Sequence, residues 1–205
     1  ATHRMDERPW TLHPYKQGAI AGLGRPLNGY LILDASCEIL EQNKDWESPT
    51  ICATRGENPV FGLADGSVRS MDGALVGSMQ SAISSVLKHP DGYLLADDQG
   101  NIEFVHNDVK WNASGNDVVA SSLGFDIDEK GSCWVARWNG SHGEVIVHSI
   151  ADGGRIASFY GHRVHDMVLN GQRIAVGCEN GQVLVWERDS SKEEFSSQVS
   201  KKTIR

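Results

Sequence analysis

His162, His165 and Asp166 lie close together in this chain, and His142 and His148 precede them by one hairpin. Imidazoles and a carboxylate so grouped could ligate Zn²⁺. Turn and strand roles account for the same residues with less. Alternate residues of a strand face opposite sides, so His142 and His148 need not converge with the others. Asp126, Asp128 and Glu129 could be paired carboxylates. Glycosidic cleavage, however, needs two carboxyls set about 5–10 Å apart across a sugar. Asp126 and Asp128 alternate with Phe125 and Ile127, as on any half-exposed strand. The acidic turns Asp65-Gly66, Asp97-Asp98-Gln99-Gly100 and Glu179-Asn180-Gly181 lack the dense oxygen spacing of a calcium loop. Asp or Asn before Gly is what a tight hairpin turn with positive φ requires. No G-x-S-x-G, P-loop, H-E-x-x-H or G-x-G-x-x-G signature occurs. The sequence therefore assigns no catalytic residue, no metal ligand and no cofactor.

One constellation suits binding better than catalysis. Trp134, Ala136 and Trp138 share one strand face and Arg137 takes the other. The loop that follows, 139–143, is the longest of its kind in the chain. An aromatic beside an arginine near a loop has the composition of an interaction hot spot. Arg137, Trp138 and His142 are the partner-binding candidates. The competing reading is an ordinary sheet core with one arginine reaching solvent.

These residues are positioned by a recurring unit. A turn precedes a short apolar run, then a Gly-containing turn, then a second apolar run. The best copy is RIAVG (173–177), Cys178–Gly181, QVLVW (182–186). YLLAD (93–97) with NIEFVH (101–106), and VFGLA (60–64) with SVRSM (67–71), are close to it. Weaker copies begin at Asn28-Gly29 and Lys130-Gly131. The turns before the hairpins fall at Gly29, Pro59, Gly92, Gly131 and Gly171, spacings suited to units of about 40 residues or fewer. Runs such as YLLAD are nearly continuous in apolar residues, as strands covered on both faces are. The expected fold is all-β, a small β-propeller of about five four-stranded blades, with six as the alternative.

Residues 1–15 form an N-terminal segment whose apolar island PWTLHPY (9–15) is placed as a closing outer strand for the last blade. The propeller takes 16–188, and 189–205 reads as a polar C-terminal tail.

Composition sets further bounds. Two hundred and five residues with 40% hydrophobic content and six tryptophans can bury a sizeable core. A net charge of −8 lacks the basic footprint of general nucleic-acid or anionic-membrane binding. No stretch approaches the ~18–20 apolar residues of a membrane helix. The start ATHRMDERPW shows no targeting segment, so the expectation is cytoplasmic. The four cysteines form no C-x-x-C pair and are expected as small buried thiols, a disulfide between hairpins being the alternative.

Gly161-His162, Asn180-Gly181 and Trp186-Glu187 together resemble the Gly-His … Asp-Gly … Trp-Asp frame of a WD40 repeat. The resemblance implies structural roles for His162, Asn180 and Trp186 in a hydrogen-bonded tetrad. It departs from the family at Val176, where a Ser or Thr belongs, and at Asn180, where an Asp belongs. It implies a non-catalytic scaffold mediating protein–protein interactions, as a subunit of a larger assembly. The stretch 124–140 is similar to the SMP-30/gluconolactonase propellers, which implies a metal-dependent lactonase as the alternative. Its likeness lies in the strand frame and not in ligand positions. A glycan-binding propeller is the third reading.

Overall fold

The computed structural model describes residues 9–25, 27–106, 108–115, 119–125, 131–139, 142–170, 172–188 and 192–199. Among these residues there are twenty strands and no helix. The first sheet holds β1 (Pro9–Tyr15), β2 (Gly18–Leu23), β3 (Gly29–Leu33) and β4 (Ile39–Asn43). The second holds β5 (Thr50–Ala53), β6 (Val60–Leu63), β7 (Ser67–Ser70) and β8 (Leu75–Ser78). The third holds β9 (Ile83–His89), β10 (Gly92–Asp97), β11 (Ile102–His106) and β12 (Asp108–Ala113). The fourth holds β13 (Val119–Phe125), β14 (Ser132–Asn139), β15 (His142–Ser149) and β16 (Arg155–Gly161). The fifth holds β17 (Val164–Asn170), β18 (Arg173–Cys178), β19 (Gln182–Glu187) and β20 (Lys192–Gln198). In every sheet the strand order follows the chain order, so each is a four-stranded meander. The five sheets are the five expected blades.

The chain divides into two compact units, residues up to 98 with 105–109, and residues 99–104 with those from 110 on. In the first unit, Tyr15, Ile20, Tyr30 and Ile32 of the first sheet pack against Ala53, Phe61 and Leu63 of the second. Phe61 is fully buried and stacks on Tyr30 with ring centroids 5.0 Å apart. Trp46 meets both rings edge-on. Val60 and Val68 pack in turn against Ile83, Val86 and Leu95.

Gly62 makes the approach of these sheets possible. A Cβ there would lie 2.3 Å from Ile83 Cγ2 and 2.7 Å from Cys52 Sγ. Gly62→Ala should therefore overpack this core and lower stability by about 1–3 kcal/mol, read from urea unfolding midpoints. An unchanged midpoint would contradict the packing.

In the second unit, Trp134, Ala136, Val145, Val147 and Phe159 of the fourth sheet face Met167, Leu169, Ile174, Val176, Leu184 and Trp186 of the fifth. Trp186 stacks on Phe159 with centroids 4.8 Å apart and planes within 5°. Both faces of β14 are covered: every residue from Cys133 to Arg137 is buried.

The ends of the chain correct two expectations. PWTLHPY does not complete the last blade; it is β1 and pairs with β2 in the first. The outer strand of the fifth blade is β20, which pairs with β19 and lies within the stretch read as a polar tail. Its Phe195 lies opposite Val185, which supplies the apolar contact that the charged composition hides. A third correction follows in the first blade. GYLIL is its third strand, and the strand before it, β2, carries the position that VFGL and RIAVGC occupy elsewhere. From Gly18, Val60, Gly92, Ser132 and Arg173, three of the four steps between second strands come close to 40 residues.

Candidate functional site

The sequence candidates Arg137 and Trp138 are adjacent on β14 and part company in space. Register sets Arg137 opposite Glu144, and Glu144 opposite Tyr160. Arg137 is only 4% exposed. It is therefore not a surface residue, which corrects its reading as a partner contact. As the second strand of a meander covered on both faces, β14 offers solvent only at its ends. Trp138 stands at such an end, half-buried, in a row with Gly143 and Gly161. Those glycines place no side chain beside its ring. The backbone of His142 pairs with Asn139, while its side chain lies outside the described residues.

Two residues that the sequence did not place here, one of them read only as part of a turn, complete the site. The guanidinium of Arg163, in the connection between β16 and β17, lies 4.0 Å from the Trp138 ring centroid. Its Nη1 is 3.8 Å from Glu179 Oε1. The backbone holds the pair in place, because Glu179 N–H donates to the Arg163 carbonyl at 2.8 Å. The Arg163 side chain is 29% exposed and that of Glu179 42%. A cation held between an indole face and a carboxylate, at strand ends and open to solvent, can offer aromatic, charged and hydrogen-bonding contact at once. Tyr160 and His162, both exposed, lie in the same stretch of chain.

The residues of the WD40-like frame take separate roles. Trp186 is buried against Phe159. His162 is exposed, and Val176 is a buried apolar residue with no hydroxyl to join a hydrogen-bonded set. Asn180 is exposed and serves its turn: its Oδ1 accepts from Gln182 N–H at 3.1 Å, and Gly181 holds φ of 82°. Asp65 does the same for Ser67, beside Gly66 at φ 85°. The tetrad that the resemblance implied is thus not assembled, and aromatic stacking fixes Trp186 instead.

Among the described residues, no group of three or more His, Cys, Asp or Glu could hold a metal ion. Asp126, Asp128 and Glu129, and the side chains of His165 and Asp166, lie outside the described residues. All four cysteines are free. Burial pushes the Cys52 and Cys133 thiols up to about 12 and raises that of Cys178.

His148 packs on the far side of the fourth blade. Its ring is 5% exposed and stacks on Trp111 at 6.0 Å. In the neutral ring, Nδ1–H donates to the Gly153 carbonyl at 2.9 Å. Burial lowers its pKa, with Arg137 and Arg155 pushing the same way against the Gly153 bond and Glu144. A histidine held neutral by the fold takes up a proton more readily when unfolded. Its contribution is thus fully present above about pH 6.5 and declines as pH falls below that value. Half-buried His13, lowered by burial and then by Arg55, acts in the same sense. Unfolding midpoints should therefore drop between pH 7 and pH 5, and His148→Phe should flatten part of that slope. An unchanged slope in the variant would contradict this.

No protein-family model and no curated protein sequence matches the chain. Solved structures do. A chain of the crystal structure of the mitotic checkpoint complex superposes with a TM-score of 0.81 at 10% identity, covering 100% of this chain and 71% of that one. The WD40 β-propeller domain of Doa1 gives 0.66 at 14% identity, covering 89% and 65%. This protein has a WD40-like β-propeller fold. BamB from Moraxella catarrhalis, at 0.67 and 14% identity over 98% of this chain and 67% of that one, is similar too. At these identities the likeness is one of fold, and the propeller's function must be argued from its own residues.

Proposed function

We propose that this propeller is a non-catalytic binding module, a scaffold subunit that holds a protein partner on the rim formed by Trp138, Arg163 and Glu179. The observation that carries the reading is the Arg163 guanidinium laid on the Trp138 ring and braced by Glu179. Arginine and tryptophan are the residue types that dominate interaction hot spots, because they combine large contact area with directed polar groups. The pair is already oriented in the free chain, so little side-chain ordering is left to be done on binding. The fold supports the same reading at a general level. One structural neighbour is itself a chain of a multi-protein complex. A partner for this rim presents a carboxylate or a planar group to the outer face of Arg163.

The test is gentle affinity capture from the native source with the wild-type chain, Trp138→Ala and Arg163→Ala in parallel. A stoichiometric partner held by the wild type and lost by both folded variants is the expected result. The same partner recovered equally by all three would reject the rim as its seat.

A further inference from the structure

The face of the fifth sheet turned away from the fourth is apolar across all four strands. Register sets Val168 opposite Ala175, Ala175 opposite Val185, and Val185 opposite Phe195. Val168 is 47% and Phe195 52% exposed, and Ala175 and Val185 are half-buried. Alternation puts Met167, Leu169, Ile174, Val176 and Leu184 on the other face, where all are buried against the fourth sheet.

The chain itself shows what such a face holds. Beside the apolar row, Gly177 on β18 stands opposite Val183 on β19. The first sheet has Gly22 opposite Tyr30 at the same level, the second Gly62 opposite Val68, and the fourth Ala136 opposite Val145. Each small residue pairs with the residue just past the bulge in the first strand of its sheet. In those three sheets the level is sealed: Tyr30, Val68, Ala136 and Val145 are no more than 2% exposed. What seals it is the opening residue of the next sheet. A Cβ on Gly22 would lie 2.6 Å from Thr50 Cγ2, and one on Gly62 2.3 Å from Ile83 Cγ2. Val164 packs in one cluster with Ala136. Thr50, Ile83 and Val164 are all β-branched, and each opens the first strand of its sheet. In the fifth sheet Gly177 and Val183 stay half-buried.

We infer that this face seats the first strand of a further blade, contributed by a partner protein. A Thr, Ile or Val at the start of that strand fills the hollow over Gly177, and the strands behind it cover Val185 and Phe195. A second copy of this chain does not suit the seat. It would present Pro9, which stands opposite Leu23 as Thr50 stands opposite Leu63 and has no β-branch. The choice of a separate protein rests on the rim reading above: Glu179 of the rim is two residues from Gly177, so one partner can engage both surfaces.

The probe is a fluorescein-labelled peptide of the third blade, from Ile83 to Ala113, because its Ile83 already fills the equivalent hollow over Gly62. Fluorescence anisotropy with the full chain should show saturable binding with a Kd of about 10–100 μM. Val183→Glu in the chain and Ile83→Asp in the peptide should each weaken it about tenfold, since each buries a charge in the seat. Trp138→Ala should leave it unchanged, which separates this face from the rim. Absence of saturable binding, or binding indifferent to Val183→Glu, would overturn the seat. A photo-crosslinking p-benzoylphenylalanine in place of Phe195, in the native source, then reads the occupant. A cross-link to a strand-forming segment of another protein is the expected result. A cross-link to a second copy, or within the same polypeptide, would overturn the partner assignment.

Discussion

Trp186→Ala should be the most damaging single substitution in the second unit. Trp186 is 6% exposed, stacks on Phe159, and lies opposite fully buried Ile174. Truncation removes that contact area and leaves a cavity between two sheets that cannot collapse freely. Large-to-small changes of this kind cost about 3–5 kcal/mol. For a domain of this size, that corresponds to a fall in Tm of roughly 10 °C. Trp186→Phe keeps an aromatic plane against Phe159 and should recover much of the loss. Thermal unfolding by circular dichroism reads both. A Trp186→Ala chain with the wild-type Tm would show that the stack does not hold these sheets together.

The second large effect is a contrast between neighbours. Trp138→Ala should raise the Kd for the rim partner about 10–100-fold, the range of a hot-spot residue. Its cost in stability should be about 1 kcal/mol, because the ring is half-buried and its cation contact is exposed. Arg137→Ala should do the reverse. It removes a buried side chain opposite Glu144 and beside His148, and should cost about 2–4 kcal/mol of stability. The folded fraction should bind the partner as the wild type does. Titration calorimetry together with urea unfolding separates the two. Equal loss of binding in both variants at matched folded fraction would return Arg137 to the interface.

The repeated hairpins carry most of the fold in their own residues. RIAVG with QVLVW, YLLAD with NIEFVH, and VFGLA with SVRSM all became paired inner strands. Apolar runs bounded by Asn-Gly or Asp-Gly turns specify such strands locally. The first blade was less legible. Its β1–β2 turn uses Lys16, at φ 49°, in place of a glycine or asparagine. GAIAGL is also built of small residues, and it is their smallness that matters. A Cβ on Gly22 would lie 2.6 Å from the Thr50 side chain. β20 was hidden for a different reason: an outer strand pairs by its backbone, so KEEFSSQ carries little apolar signal in its sequence.

The site was half legible. Trp138 could be found because an aromatic beside an arginine stands out in any strand pattern, but the long loop read after it at 139–143 is mostly strand: β14 runs to Asn139, and β15 begins at His142, which pairs with it. Arg163 and Glu179 could not, because Glu179 reaches Arg163 only through the register of β17 on β18, and Arg163 reaches Trp138 only where the fourth sheet meets the fifth. Arg137 was misplaced for the same reason. Alternation says which face a residue takes, but not whether another layer covers that face.

Amide hydrogen exchange on the captured complex, compared with the free chain, tests the central claim most directly. Protection on binding should concentrate at Trp138–Asn139, around Arg163 and at Glu179–Gly181, and Trp138→Ala should abolish it. Protection confined to other segments, with exchange at these three unchanged, would contradict the assignment of the rim as the binding site.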